Sequence, residues 1–471
     1  MGIKILVSNL PGPKGPIFIK EGRCSQPKKI WNTVWPPYSL VSIAAVLEQA
    51  GNSVKVYDHP AMNFKKAKFA IFIEDFSPEA VIVSCTTPTV NNDLAACFKI
   101  KQLLPKVKII LFGIHGTVFS QDILKKHNYI DFIVRGEPEY TIRDLAQALD
   151  NKAECDLENI DGLSWRYQGK FIKNKEREFI ADLDELPLPA WHLIDTKKYR
   201  LPLLGKPYLM LVPGRGCVDK CLFCYAQAYY GCKNRRHSVK RVIKELKFYK
   251  KQFKINYFFF WTENCTQDRK FLIDLLDEMI KLKLNVNWAC NSRVDTIDIE
   301  LLTKMKLAGC LIVAFGVESG NQNILDLAHK NITLKQIEHA FSLIHRVGIP
   351  SIANCMFGLP GETKQSMRRT MFFLKKINPT YAQFYTAVPR PGSGLYTLAR
   401  KKGWLQTNEW ERFHQRDYVL NINGLGRDDI INFRKKANVS FYLDFKRLSR
   451  IFANLLKNFL KFRNTKEREK F

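Results

Sequence analysis

YLMLVPGRGCVDKCLFCYAQ (208–227) begins as an apolar run and ends as a loop that carries Cys217, Cys221 and Cys224. The run, punctuated by Pro213 and Gly214, predicts a short buried strand, so the thiols sit on the loop at its carboxyl end. Their spacing, C-x3-C-x2-C, is unusual for zinc, which commonly takes four ligands in two separated pairs, and no second pair with that spacing occurs in the chain. An iron–sulfur cubane tolerates three protein thiolates. Its fourth iron is then open to a small molecule that chelates through an amine and a carboxylate.

Outward from this loop the same pattern repeats. Strand candidates at 208–214, 255–261, 285–291, 311–319, 349–358 and 380–388 alternate with amphipathic helices, which predicts a partial barrel of six βα repeats across 206–400. Chemistry in such barrels sits where the strands end. Residues 1–150 alternate in the same way, with strands at 3–8, 53–58, 80–85, 107–113 and 131–136, and predict a doubly wound parallel sheet whose ligand site lies at the strand carboxyl ends. Residues 151–205 are polar and proline-rich, with a hairpin turning at Gln168-Gly169, and read as a linker. The segment 401–471 is less regular up to KRLSRIFANLLKNFLKFR (446–463), where Leu448, Ile451, Phe452, Leu455, Phe459 and Phe462 share one helical face and five basic residues share the other. That pattern suits a docked terminal helix or a basic helix lying on an anionic membrane surface.

The chain has 471 residues, 46% of them hydrophobic, which is ample for two or more cores. Its N-terminal apolar run is too short for a signal peptide and no stretch reaches a membrane-spanning length, so a cytoplasmic, reducing setting is expected. In that setting the nine cysteines without ligand spacing (Cys24, Cys85, Cys97, Cys155, Cys232, Cys265, Cys290, Cys310 and Cys355) read as structural. A net charge of +29 admits nucleic acid, an anionic membrane surface, an acidic substrate, or a bias of composition with no function.

The cysteine signature, with Phe223 before the third thiol, resembles that of the radical S-adenosylmethionine enzymes. FWTENCT (260–266), NSRVD (291–295), GVESGNQNILDLAHKNIT (316–333) and FGLPGET (357–363) extend the resemblance at later strand ends. WPPYSLVSIAAVLEQAGNSVKVYD (35–58), LFGIHGT (111–117) and DFIVRGEPEYTIRDL (131–145) are similar to the cobalamin-binding subgroup. The likeness covers about residues 1–400. It implies a 4Fe-4S cluster on the three cysteines that reductively splits S-adenosylmethionine, an external reductant such as flavodoxin or ferredoxin, and bound cobalamin.

Carried over residue by residue, the likeness places Glu263 at the methionyl ammonium, Arg293 at its carboxylate and Glu318 at the ribose or ammonium. Gly358 and Gly361 would let backbone approach the adenine, and Tyr225 packs beside the cluster. Corrinoid contacts are expected from Gly113, His115, Gly116 and Thr117 and from Gly136 and Glu137. The D-x-H-x2-G motif of many cobalamin domains is missing: SNLPGPKG (8–15) stands in its place, and neither His59 nor His115 has that context.

The function implied is methylation of an unactivated carbon on a small-molecule or lipid substrate. A cobalamin-linked radical cyclase or rrearranging enzyme of tetrapyrrole or hopanoid type is the alternative. An RNA methylthiotransferase is a weaker one, because no second set of cluster cysteines is evident in the N-terminal domain, and nucleic acid is not an expected partner.

Overall fold

The computed structural model describes residues 2–11, 17–21, 26–27, 34–62, 66–151, 154–202, 204–443 and 449. Apart from residue 449, the helix expected over 446–463 lies outside these residues, as do Cys24 and the side chain of Cys155. No helix among the described residues is long and apolar enough to cross a membrane.

The N-terminal sheet is built from the β-branched runs of the sequence. Strands β1 (Lys4–Asn9), β2 (Ser53–Asp58), β3 (Ala80–Ser84), β4 (Lys108–Phe112) and β5 (Phe132–Val134) lie parallel in the order β2-β1-β3-β4-β5. Every residue of β3 is buried because helices cover both faces of the sheet. The predicted hairpin forms as β6 (Leu163–Tyr167) and β7 (Lys170–Lys173), with Gln168 and Gly169 both at positive φ, as a tight two-residue turn requires. It does more than link: β6 pairs antiparallel with β5 and widens the sheet to seven strands, since Leu163 and Trp165 bury against the sheet's own core. Chain order reverses between β1 and β3, so the ligand crevice of this sheet opens at their carboxyl ends.

The second sheet is parallel throughout, in the order β8 (Leu209–Leu211), β9 (Tyr257–Phe260), β10 (Asn287–Ser292), β11 (Cys310–Glu318), β12 (Ser351–Phe357) and β13 (Tyr381–Thr386). In β10, β12 and β13 fully buried residues alternate with half-buried ones. Trp288, Cys290, Phe357 and Phe384 belong to the core, while Asn291, Asn354 and Gln383 lie on the other face. The last strand is covered by the helix Arg427–Tyr442, whose Phe433 and Phe441 pack on Phe357 and Phe384 with ring centroids 5.0 and 5.9 Å apart. Tyr442 closes the sheet edge, donating to Ala382 O at 2.8 Å.

The two sheets meet by their strand ends. His115, after β4, lies 5.1 Å from the Trp410 ring of the C-terminal segment, and Phe119 lies 6.3 Å from Tyr396. A methyl group added at Gly392 would touch Ile114 at 3.3 Å.

Candidate functional site

A two-residue ribbon, Gly214–Arg215 against Arg235–Arg236, carries the chain from β8 into the cysteine loop. Gly216 has φ +92°, and a Cβ there would fall 2.0 Å from Lys233 O, so only glycine permits the turn. The loop is then fixed by backbone: Leu222 N donates to Ala328 O at 2.9 Å, Leu395 N to Leu222 O at 2.7 Å, and the Gln227 amide to Cys217 O at 2.9 Å. Cys217, Cys221 and Cys224 are half-buried, and none is in a disulfide. Of the remaining cysteines, Cys85, Cys97, Cys265, Cys290, Cys310 and Cys355 are buried as expected, whereas Cys232 is exposed.

The strand ends bring charge to this loop. Arg293 follows β10, is 7% exposed, and holds both Asp295, at 2.8 Å, and Asp219 of the cysteine loop, at 3.2 Å. Glu318 ends β11 in the left-handed region, at φ +62°, and pairs with Lys330 at 3.0 Å. Lys330 is buried and lies 5.9 Å over the Phe223 ring. Burial raises the Cys221 thiol pKa, and Lys330 and Arg293 pull it back. Lys330 lies inside the stretch 316–333 noted above, but nothing in its spacing marks it; only folding brings it to the thiols. Glu263, in the loop after β9, is half-buried.

The two glycines of FGLPG sit at positive φ against protein side chains. At Gly358 (φ +88°) a Cβ would meet the Tyr418 ring at 2.4 Å, and at Gly361 (φ +79°) it would meet Leu327 at 2.4 Å. Tyr418 also donates to Gly358 O at 3.0 Å. Between them and the following helix lies Glu362, 1% exposed, whose carboxyl pKa burial raises to about 7 and whose Oε2 has no hydrogen-bond partner. Tyr225 caps the short helix Ala226–Tyr230, its ring 5.7 Å beneath Arg390.

In the N-terminal domain, Gly113 has φ +114°, with Cys85 O 2.6 Å from where its Cβ would be. Thr117 ties two loops together, donating to Gly113 O at 3.0 Å and accepting from Gly136 N at 3.2 Å. Gly116 packs on Ile133, 3.1 Å from its would-be Cβ, while the space beside Gly136 is open. His115 is buried with Nδ1 3.2 Å from Thr87 Oγ1, and burial lowers its pKa to about 3, so the imidazole is neutral. Glu137 is held by protein: both its oxygens take Arg235 at 2.8 Å, and Oε2 accepts from Ile180 N at 2.9 Å. Beside it Glu139 takes Arg215 at 2.6 and 3.2 Å and Ser42 at 2.8 Å. The acidic first turn of the helix Pro138–Asp150 thus anchors the ribbon that leads into the cysteine loop.

Among the described residues no three His, Cys, Asp or Glu side chains converge as ligands of a single ion. Three thiols on one loop, with Lys330 and Arg293 close enough to offset thiolate charge, suit a multi-iron cluster, whose protein ligands each bind a different iron. The loops after β4 and β5, tied together by Thr117, stand at the strand carboxyl ends where a parallel sheet of this topology takes a bulky ligand.

Residues 211–374 match the radical SAM superfamily, and residues 32–146 match the B12 binding domain. The chain is 30% identical over 416 residues to an uncharacterised methyltransferase of Pyrococcus horikoshii, covering 88% of this chain and 90% of that one. It is 27% identical over 441 residues to the anaerobic magnesium-protoporphyrin IX monomethyl ester cyclase of Rubrivivax gelatinosus, covering 93% and 77%. In fold it is similar to the radical S-adenosylmethionine methyltransferase TsrM of Kitasatospora setae, solved with cobalamin and a [4Fe-4S] cluster, with a TM-score of 0.68 at 16% identity over 86% of this chain and 76% of that one. The chain therefore belongs to the cobalamin-binding radical S-adenosylmethionine enzymes, which work with a 4Fe-4S cluster, S-adenosylmethionine and cobalamin.

Proposed function

We propose that this chain methylates an unactivated carbon of a small-molecule substrate held between its two sheets. The observation that carries the reading is the grip of Arg215 on Glu139, which sets the cysteine loop of one domain against the strand ends of the other. When bound, the cluster on Cys217, Cys221 and Cys224 supplies the electron that splits S-adenosylmethionine, and cobalamin supplies the methyl group.

The protein's own contribution is position and exclusion of water. Glu263 and Arg293, at adjacent strand ends, meet the ammonium and carboxylate of the methionyl group; Arg293 arrives pre-oriented by Asp295 and Asp219. Glu318, fixed by Lys330, faces the same end of the sheet. The loops that carry Gly113, Gly116, Thr117 and Gly136 border the corrinoid at the strand ends, with His115 in its neutral form beside Thr87. Because the thiol loop is only half-buried, a protein reductant such as flavodoxin or ferredoxin can approach it.

The test is product analysis after anaerobic reconstitution with iron, sulfide and cobalamin. S-adenosylhomocysteine formed alongside 5'-deoxyadenosine supports methyl transfer. 5'-Deoxyadenosine alone favours the cyclase reading, which the relative in Rubrivivax gelatinosus supports.

A further inference from the structure

Buried arginines normally sit on carboxylates, because an unpaired guanidinium removed from water loses its solvation without return. The segment after the barrel breaks this rule twice. Arg416 is half-buried, and its Nε and Nη2 are sealed from solvent with no hydrogen-bond partner; Arg434 is half-buried, with its Nε in the same state. Neither makes an ion pair among the described residues. Asp417, the nearest acid in sequence, is taken by Arg412 at 3.0 Å and Arg427 at 2.6 Å. The two arginines also repel: burial and then Arg434 lower the Arg416 pKa. His414 adds no charge, since burial, with Arg416, Arg434 and Arg390 adding to it, holds its pKa near about 4.

The position of this cluster is fixed by backbone. Thr386, the last residue of β13, donates its N–H to Gln415 O at 3.2 Å and its hydroxyl to Asp417 O at 2.5 Å, so Arg416 is clamped at the carboxyl end of the final strand. Arg390, four residues on from Thr386, lies over Tyr225, the neighbour of Cys224. His414 reaches the N-terminal domain, with its ring 5.8 Å from Phe18. Arg416, with Arg434 close enough to repel it, therefore lies at the barrel mouth beside the segments that reach the cysteine loop and the N-terminal domain.

We infer that Arg416 and Arg434 form an oxyanion subsite, and that the substrate carries a phosphoryl, phosphonyl or carboxylate group bound there while its reacting carbon faces the cysteine loop. This deepens the proposed function and rests on it for the word substrate, but the subsite itself is tested without turnover. Two guanidinium forks offer the planar, multidentate donors that such groups match.

The experiment measures binding of methylphosphonate and of succinate to the full-length, anaerobically reconstituted holoprotein at constant ionic strength, with chloride as the control. Wild type, R416Q, R434Q and K435Q are compared, the last removing an exposed charge on the same helix. Saturable binding by wild type and K435Q, weakened at least about tenfold in R416Q and R434Q, is the expected result; which probe binds more tightly separates phosphonyl from carboxylate. Melting temperatures of R416Q and R434Q equal to or above that of the ligand-free wild type are expected too, because each substitution relieves repulsion. No binding beyond that of chloride, or equal binding by all four proteins, overturns the subsite. Loss of bound cobalamin in R416Q or R434Q overturns the assignment to substrate and gives the cluster to the phosphate of the corrinoid tail. Failure of methyl transfer with intact anion binding counts against the proposed function alone.

Discussion

Arg215 of the barrel and Glu139 of the N-terminal domain share two hydrogen bonds, of 2.6 and 3.2 Å, with both side chains at or below 5% exposure. The pair stands two residues before Cys217, so a joint between domains is also the anchor of the thiol loop. Removing one partner leaves the other charge buried. E139Q should therefore cost about 3 kcal/mol in urea unfolding, and R215M combined with E139L should cost less than the sum of the single changes. Simple additivity in that double-mutant cycle would show that the two residues do not couple.

Gly216 tests how tightly the loop conformation is set. G216A puts a methyl group 2.0 Å from Lys233 O at a positive φ, at a cost of about 2 kcal/mol or more. Iron bound after reconstitution should fall well below wild type, while G51A, whose Cβ meets nothing within 4 Å, should retain it.

Gly113 makes the matching test in the other domain. G113A drives a Cβ into Cys85 O, shifting the loop that also carries His115. Cobalamin retained after gel filtration, read by its visible absorbance, should drop, with iron content unchanged. Full retention would remove this loop from the corrinoid site.

Glu362 gives a pH dependence. Its folded pKa, raised from the model-peptide value of 4.5 to about 7, means the folded chain keeps a proton that the unfolded chain releases. Stability from this group is present below pH 4.5, declines as pH rises toward 7, and is absent above it. E362Q should remove that slope, gaining up to about 3 kcal/mol over wild type at pH 8. An unchanged slope between pH 5 and 8 would place the titration elsewhere.

The strands were legible because β-branched and aromatic runs between glycines and prolines read the same in isolation as in the fold; β2 lies at 53–58 in both. The hairpin turn at Gln168-Gly169 and the thiol loop after β8 were legible for the same local reason. What was hidden depends on distance along the chain. Arg215 and Glu139 stand 76 positions apart, and Lys330 reaches Glu318 only because a short helix folds back between them. That Gly358 and Gly361 admit the Tyr418 ring and Leu327 beside them was equally hidden, since both partners come from other parts of the chain. The segment 405–443 carries weak periodicity, since its order comes from docking on β13 rather than from its own pattern.

Turnover of methyl-deuterated S-adenosylmethionine by the reduced, anaerobically reconstituted chain, followed by mass spectrometry, decides whether the thiol trio drives the chemistry. Wild type should release 5'-deoxyadenosine and S-adenosylhomocysteine, and C217A, C221A and C224A should each release neither. Continued release of 5'-deoxyadenosine by any of the three variants would contradict a cluster held by these cysteines.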